Sequence, residues 1–228
     1  MERVALGLKR VRAELAAALA SAGRAPDSAR LVAVSKFHPA SAIRAAYAEG
    51  QRDFGENYVQ ELEQKAAELA DLSDLRWHMI GHLQRNKARA VVPLAALIHT
   101  VHSVELAREL DKRANAPLAV LVEVNVGGET QKSGCAPEAL GELLQALGEA
   151  ERVRCIGLMC VPPHTEDPSG SLAFFERLRA LREQHGGTER LPELSMGMSA
   201  DLPYAIAAGA SIVRVGTAIF GERPRAER

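Results

Sequence analysis

The sequence predicts a single α/β domain, built as a closed (β/α)8 TIM barrel with one extra helix at its N-terminus. Eight short apolar runs alternate with longer segments of helical periodicity between residues 31 and 216. The chain has 228 residues and no linker rich in Gly or Ser, so one large domain over residues 1–228 is favoured over two small ones. An open, doubly wound sheet is the alternative architecture.

The leading helix is predicted over residues 1–23. Gly23 is suited to end it, and its apolar residues recur at helical spacing: Val4, Leu8, Val11, Leu15 and Leu19. An Arg-bearing, Ala-rich start is also typical of a targeting segment, but Glu2 and Glu14 favour a helix docked on the domain. No stretch approaches the roughly 18 consecutive apolar residues of a membrane span. The charged end, residues 222–228, is predicted to be frayed.

The strands are predicted from short runs of apolar and β-branched residues. Leu31 to Val34 is apolar throughout, as expected of a strand buried on both faces, and Glu123 and Asn125 share one face of the clearest run, LAVLVEVNV. The strands are predicted over residues 31–35, 52–54, 76–80, 97–101, 118–126, 153–159, 193–195 and 211–215. Helices are predicted over 39–49, 58–72 and 84–90, from an N-cap at Ser103 to Arg113, from Pro137, from Asp167, and from an N-cap at Ser199 to Ala208.

Composition excludes several classes of function. The formal net charge is −1, so no general basic field favours nucleic acid or an anionic membrane. Cys135, Cys155 and Cys160 are odd in number and lack zinc spacing, which indicates small apolar core residues in a reducing, cytoplasmic protein.

The histidines near strand ends are predicted to be structural. No carboxylate or cysteine pattern joins His78, His99 and His102 into a metal site. We therefore expect hydrogen-bonded histidines on the barrel rim.

Lys36 directly follows an almost wholly apolar run. Most lysines lie on solvated faces, because removing an unpartnered ammonium group from water is costly. At the carboxyl end of a parallel strand, Lys36 would lie where ligands bind, and burial would lower its pKa and make it a nucleophile that forms Schiff bases. The alternative is a lysine that reaches from the barrel rim to water.

Two glycine-containing loops predict a phosphate site. After the seventh strand comes SMGMSAD, in which Ser199 precedes a helix whose free N–H groups can hold an anion. After the eighth strand comes GTAIFG, in which Gly216 and Thr217 repeat the pattern. Either loop alone is typical of an ordinary turn, but phosphate binding by the loops after these two strands recurs in this fold.

Arg214 lies one residue before the end of an otherwise apolar strand, in SIVRVG. A buried guanidinium needs an acceptor, and either Glu123 or a ligand could supply it. Together with Lys36 and the two loops, Arg214 favours a ligand that presents an aldehyde, a ring nitrogen and a phosphate.

The sequence resembles the family of pyridoxal 5′-phosphate (PLP) homeostasis proteins, also called YggS-like proteins. The resemblance covers nearly the whole chain. It rests on AVSKFHPASAI, FGENYVQE, WHMIGHLQRNK, GGETQKSG, GLMCVPP and LSMGMSADLPYAIAAGASIVRVGTAIFGER. These motifs are specific together, and none suffices alone.

The resemblance implies a barrel of the alanine-racemase type (PLP fold type III) with PLP on Lys36 as an internal aldimine. It implies that Arg214 faces the pyridine nitrogen and that the phosphate contacts come from Ser199, Gly216 and Thr217.

It also implies roles for two residues outside those loops. Asn57 is expected near the cofactor, and Lys132 matches a second lysine that could take up PLP transiently.

Three functions fit a reactive lysine beside a phosphate site. The first is a binding protein that holds PLP and takes part in vitamin B6 homeostasis and delivery to apo PLP-dependent enzymes. The second is a PLP-dependent amino-acid racemase that uses Tyr58 or Tyr204 as its second acid or base. The third is a Schiff-base aldolase that uses Lys36 without PLP.

Two features favour a binding protein that is not an enzyme. An arginine beside the ring nitrogen disfavours its protonation and so weakens the ring as an electron sink. By analogy with racemases of this fold, catalysis would need a second domain and a dimer partner, and few residues follow the barrel. We therefore expect a monomer.

Overall fold

The computed structural model describes residues 2–222. Within that range, eight parallel strands follow one another around a closed barrel in which β8 pairs with β1. The strands are β1 Arg30–Val34, β2 Asp53–Glu56, β3 Arg76–Met79, β4 Ala95–Val101, β5 Leu118–Glu123, β6 Val153–Met159, β7 Glu193–Ser195 and β8 Ile212–Val215. The predicted barrel is confirmed, and the open sheet is excluded. Except for Glu222, the tail that was predicted to be frayed lies outside the described residues.

Helices surround the barrel. They are α1 Glu2–Ser21, α2 Ala40–Ala48, α3 Val59–Glu68, α4 Ala88–Val91, α5 Val104–Arg113, α6 Leu140–Gly148, α7 Leu172–Gln184, α8 Gly187–Arg190, α9 Leu202–Ala207 and α10 Thr217–Phe220. Short 3-10 turns precede three of them, at Arg85–Lys87, Pro137–Ala139 and Pro168–Ser171. No helix in residues 2–222 is both long and apolar enough to cross a membrane.

The leading helix docks on the barrel as expected. α1 buries the five apolar residues that its periodicity predicted, Val4, Leu8, Val11, Leu15 and Leu19. At Gly7 the helix lies so close to α10 that a Cβ would be 2.6 Å from the carbonyl oxygen of Ile219. The absence of a side chain at this position therefore lets α1 pack directly against α10, the short helix that follows β8.

The core has two parts, one between sheet and helices and one inside the barrel. The inner part contains Val32, Leu97, Leu121, Met159 and Ile212. Side chains two positions apart on a strand share a face, so His99, Glu123 and Arg214 also belong to the barrel interior. The interior therefore combines an apolar layer with buried polar side chains.

β5 is shorter than predicted, since it ends at Glu123 and not at Val126. The side chain of Asn125 folds back on the following loop, where Nδ2 donates to the carbonyl oxygen of Glu129 at 2.8 Å. A side chain that bonds its own loop competes with the strand ladder, so the strand stops before Asn125.

Candidate functional site

Five of the predicted site residues follow the carboxyl ends of four neighbouring strands. Lys36 follows β1, Asn57 follows β2, Ser199 follows β7, and Gly216 and Thr217 follow β8. The strands β7, β8, β1 and β2 are consecutive around the closed barrel. Closure therefore gathers on one side of the barrel face residues that are far apart along the chain.

Two glycines allow the loops at this edge to touch. A Cβ on Gly216 would lie 3.0 Å from the carbonyl oxygen of Val34. A Cβ on Gly81, after β3, would lie 2.1 Å from the carbonyl oxygen of Asn57. The backbone beyond β8 thus lies against β1, and the loop after β3 lies against the loop that carries Asn57.

Asn57 presents an acceptor that the protein does not satisfy. Its Oδ1 atom is buried and has no hydrogen-bond partner among the described residues. Leaving a buried polar atom unpaired costs about 1–3 kcal/mol. A donor on a ligand bound at this edge would remove that cost, so the residue fits the role expected of it.

Lys36 is half-buried, and a lysine of α3 secures the backbone beside it. Lys65 Nζ donates to the carbonyl oxygen of Ser35 at 2.8 Å, to Glu56 Oε1 at 2.7 Å and to Glu61 Oε2 at 2.7 Å. With 7% of its side chain exposed, Lys65 is a buried cation whose ion pairs are both largely removed from water.

Phe37 adopts an unusual backbone conformation directly after Lys36. Its φ of 66° is positive, which no other non-glycine residue among the described ones shows, and such a conformation is unfavourable for a side chain of this size. Glu61 Oε2 accepts a hydrogen bond from the Phe37 N–H at 2.7 Å. The carbonyl before Lys36 and the N–H after it are thus both held by the Lys65–Glu61 pair.

Sequence reasoning missed Lys65. The signal was its spacing within the helix predicted over residues 58–72, because Lys65 lies three residues after Leu62 and four before Leu69, on the buried face. A cation at a core position indicates buried acceptors, here supplied by Glu56 and Glu61.

Arg214 is buried, with 5% exposed, and it bonds inside the barrel. Nη1 donates to Ser195 Oγ at 2.6 Å and Nη2 donates to the carbonyl oxygen of Cys160 at 3.0 Å. Glu123, the alternative acceptor, forms no hydrogen bond or ion pair with Arg214 in residues 2–222. Burial raises the pKa of Glu123 to about 7, and the nearby charge of Arg214 lowers it only in part.

Ser199 does not cap the following helix, contrary to expectation. α9 begins at Leu202 after Asp201, and Asp201 Oδ1 accepts a hydrogen bond from the Met198 N–H at 2.6 Å. The carboxylate of Asp201 closes this turn, and Ser199 lies exposed within it. Ser199 is therefore exposed on the loop after β7 and is not part of a helix terminus.

The turn after β7 lies against the last residues of β8. The Arg214 N–H donates to the carbonyl oxygen of Gly197 at 3.0 Å. Gly197 has a φ of 91°, and a Cβ there would lie 2.4 Å from the Cβ of Ala205. Glycine is required at this turn, which lies against β8 and leads to Ser199.

Lys132 lies on the neighbouring side of the barrel face. Its Nζ donates to the carbonyl oxygen of Pro162 at 2.9 Å and lies 2.5 Å from Glu129 Oε2. It lines a cavity of about 460 Å³ together with Met198 and Asp201. Lys132 therefore borders the turn that carries Ser199, and Lys36 does not line the same cavity.

Two of the three histidines lie inside the barrel and not on its rim. His78 and His99 are almost completely buried, because their strand positions face the interior. His102 is half-buried, and its Nδ1 lies 3.1 Å from the carbonyl oxygen of Thr100. All three are hydrogen-bonded, as expected. Within residues 2–222, no group of three or more His, Cys, Asp or Glu residues is arranged to hold a metal ion.

The cysteines are free thiols in or near the core: Cys135, Cys155 and Cys160. Burial raises the pKa of Cys135 and Cys160 to about 12 and that of Cys155 to about 11. Thiols of such high pKa stay protonated at neutral pH and are poor nucleophiles. Their predicted role as small packing residues agrees with this environment.

Comparison with known proteins identifies the family. The family model described as alanine racemase, N-terminal domain, matches residues 8–224. Over 227 residues the chain is 45% identical to the pyridoxal phosphate homeostasis protein of Pseudomonas aeruginosa, with 98% of this chain and 97% of that one covered. The chain belongs to the pyridoxal phosphate homeostasis protein family. The Escherichia coli K12 relative of the same name is 42% identical, and the match covers 98% of each chain.

Comparison with solved structures agrees with this family assignment. PipY of Synechococcus elongatus with PLP bound superposes with a TM-score of 0.78 at 43% identity, covering 91% of this chain and 100% of that one. Alanine racemase from Corynebacterium glutamicum has a TM-score of 0.72 at 19% identity, covering 100% of this chain and 63% of that one. The second likeness concerns the fold alone and confirms the predicted alanine-racemase type of barrel.

Proposed function

We propose that this chain, as one PLP-binding barrel domain, holds PLP and takes part in PLP homeostasis and delivery inside the cell. The observation that carries the proposal is the placement of the half-buried Lys36 at the end of β1, against the end of β8, which carries Gly216 and Thr217. A relative at 43% identity, PipY, has been solved with PLP bound.

Each residue has a defined part in this proposal. Lys36 Nζ is the covalent attachment point of PLP, and Arg214 faces the pyridine nitrogen. Asn57 Oδ1, buried and unpaired, accepts a hydrogen bond near the cofactor. The phosphate contacts are Ser199, Gly216 and Thr217. When bound, PLP supplies an aldehyde that combines reversibly with amines.

The protein's own groups favour holding PLP over transforming a substrate. Arg214 is buried, and a cation beside the ring nitrogen disfavours its protonation. The Lys65–Glu61 pair restrains the backbone on both sides of Lys36. A restrained lysine beside a PLP ring that is a weak electron sink suits reversible capture of PLP.

Apo PLP-dependent enzymes are the proposed recipients, with Lys132 as a second lysine that takes up PLP during transfer. Four of the five exposed large apolar side chains among the described residues follow strand ends on the face of Lys36: Phe37, Tyr58, Val161 and Met198. Exposed apolar groups around a site are typical of contact with another protein. We further propose that the protein itself is a cytoplasmic monomer.

The test is borohydride reduction of the PLP-loaded protein followed by peptide mapping. A pyridoxyl group is expected on Lys36 of the native protein. Most of the label is expected to be lost in the Lys36→Ala variant, and labelling of Lys36 is expected to be unchanged in the control Lys132→Ala. Failure of the native protein to bind PLP, or labelling of Lys132 alone, would contradict the proposal.

The same material separates carrier from racemase. A carrier transfers PLP to an apo-enzyme without amino-acid turnover. Turnover that is lost in Lys36→Ala and in a Tyr58→Phe or Tyr204→Phe variant would instead support the racemase.

A further inference from the structure

A row of hydrogen-bonded side chains crosses the barrel interior behind Arg214. Arg214 Nη1 donates to Ser195 Oγ at 2.6 Å, and His99 Nδ1 lies 2.8 Å from the same oxygen. His99 Nε2 lies 2.9 Å from His78 Nδ1, and His78 Nε2 lies 2.9 Å from Asp53 Oδ1. We call Ser195, His99, His78 and Asp53 the interior chain. It connects four strands, β7, β4, β3 and β2.

The interior chain ends in a carboxylate at the amino end of the barrel. Asp53 Oδ1 and Oδ2 accept hydrogen bonds from Arg76 Nε at 2.8 Å and Nη2 at 2.6 Å. Burial opposes ionisation of Asp53, but the bonds from Arg76 and His78 hold its pKa well below the usual range. Asp53 is thus a carboxylate, which can only accept hydrogen bonds.

The carboxylate of Asp53 determines which atoms of the interior chain carry the protons. Because Asp53 only accepts, His78 carries its proton on Nε2. Desolvation lowers the pKa of both histidines, which are neutral at neutral pH. His78 Nδ1 therefore accepts from His99 Nε2, and His99 Nδ1 accepts from the Ser195 hydroxyl. Each N–H and O–H group points from Arg214 towards Asp53.

The direction matters for Arg214. A serine hydroxyl rotates freely unless a partner holds its proton, and a proton turned towards a guanidinium would repel it. His99 Nδ1 draws the Ser195 proton away, so the oxygen presents a lone pair to Arg214 Nη1. Together with the carbonyl oxygen of Cys160, this lone pair fixes the plane of the guanidinium.

We propose that the interior chain positions Arg214, so that the remaining N–H groups of its guanidinium face the ring nitrogen of PLP. The proposal rests on the proposed function in one respect, because it takes Arg214 to be the neighbour of the PLP ring. Its members are positioning residues, since they act on the cofactor through Arg214. The competing view is that these polar groups only satisfy one another within the core.

Two substitutions at His99 separate the two views. Glutamine keeps one acceptor and one donor, whereas methionine is of similar volume and keeps neither. In the PLP-loaded full chain, His99→Met is expected to shift the absorption maximum of bound PLP and to speed PLP release about tenfold, equivalent to ~1.4 kcal/mol. His99→Gln is expected to restore both towards the native values.

A double-substitution cycle tests whether the effect passes through Arg214. In an Arg214→Met background, His99→Met should add nothing to the spectrum or the release rate. A His99→Met variant that keeps the native spectrum and release rate, while Arg214→Met alters both, would overturn the proposal. So would an equal effect of His99→Met in both backgrounds.

Nitrogen-15 NMR of the imidazoles in PLP-free protein tests the proton positions in the interior chain. It needs neither the cofactor nor a variant. Both His78 and His99 are expected to be neutral with the proton on Nε2. A proton on Nδ1 of either ring, or an imidazolium at neutral pH, would overturn the proposal even if His99→Met does not fold. Failure of the native protein to bind PLP would instead contradict the proposed function and leave the NMR result interpretable.

Discussion

Glu61 Oε2 accepts a hydrogen bond from the backbone N–H of Phe37 at 2.7 Å, directly after Lys36. The same oxygen lies 2.7 Å from Lys65 Nζ, which also bonds the carbonyl oxygen of Ser35. One buried ion pair on α3 therefore restrains the chain on both sides of Lys36. This restraint helps to offset the unfavourable positive φ of Phe37.

Removing the cation of this pair should destabilise the protein strongly. Lys65→Met leaves Glu56, a fully buried carboxylate, without its cation, and breaking a buried pair in this way typically costs about 3–5 kcal/mol. Urea unfolding measures the loss. Lys112→Met, at an exposed position, is the matched control and should change stability by less than about 0.5 kcal/mol. An equal loss of unfolding free energy at the two positions would contradict a stabilising role for the buried ion pairs of Lys65.

Glu123 should make stability fall as the pH rises. Its folded-state pKa of about 7 lies above the unfolded value, so the folded state binds the proton more tightly. The penalty for ionising this buried group is absent below the unfolded pKa and fully present above the folded one. As the pH rises from about 4 to about 8, the free energy of unfolding of Glu123→Gln should therefore increase relative to that of the native protein, by up to about 3 kcal/mol. Parallel urea titrations with the same pH dependence in both proteins would contradict this assignment.

Gly216→Ala should weaken PLP binding more than it weakens folding. The added Cβ would lie 3.0 Å from the carbonyl oxygen of Val34, so the loop after β8 has to shift relative to β1 by a few tenths of an ångström. A shift of that loop displaces the proposed phosphate contacts, and we expect PLP affinity to fall by about tenfold or more, equivalent to ~1.4 kcal/mol. Gly148→Ala is the control, because nothing lies within 4 Å of its added Cβ. Unchanged affinity in Gly216→Ala would remove this loop from the site.

The three thiols should react slowly with Ellman's reagent in the folded protein at mildly alkaline pH. Burial keeps them protonated, and the thiol is far less nucleophilic than the thiolate. In denaturant, all three should react rapidly. A thiol that reacts as fast in the folded protein as in denaturant would reveal an open environment that the structure does not contain.

Local signals predicted most of the fold because each strand and helix has its own apolar period. Lys36, Arg214 and Gly216 could be recognised as unusual from their places at strand ends. The prediction that Ser199 caps the following helix was wrong because Asp201, two residues later, closes the turn and precedes the helix. Both residue types are good caps, so composition does not separate them.

The residue pattern was sufficient to predict the barrel, its leading helix and the edge at which its chemistry lies. In a parallel barrel the carboxyl ends of the strands always meet at one face, so a list of strand ends is also a list of neighbours. Partners within the barrel required the closed fold. Lys65 and Ser35 are 30 residues apart, and His99 and Ser195 are 96 apart. Their hydrogen bonds depend on distances and angles that are set only when the strands close on each other, and no local period encodes these.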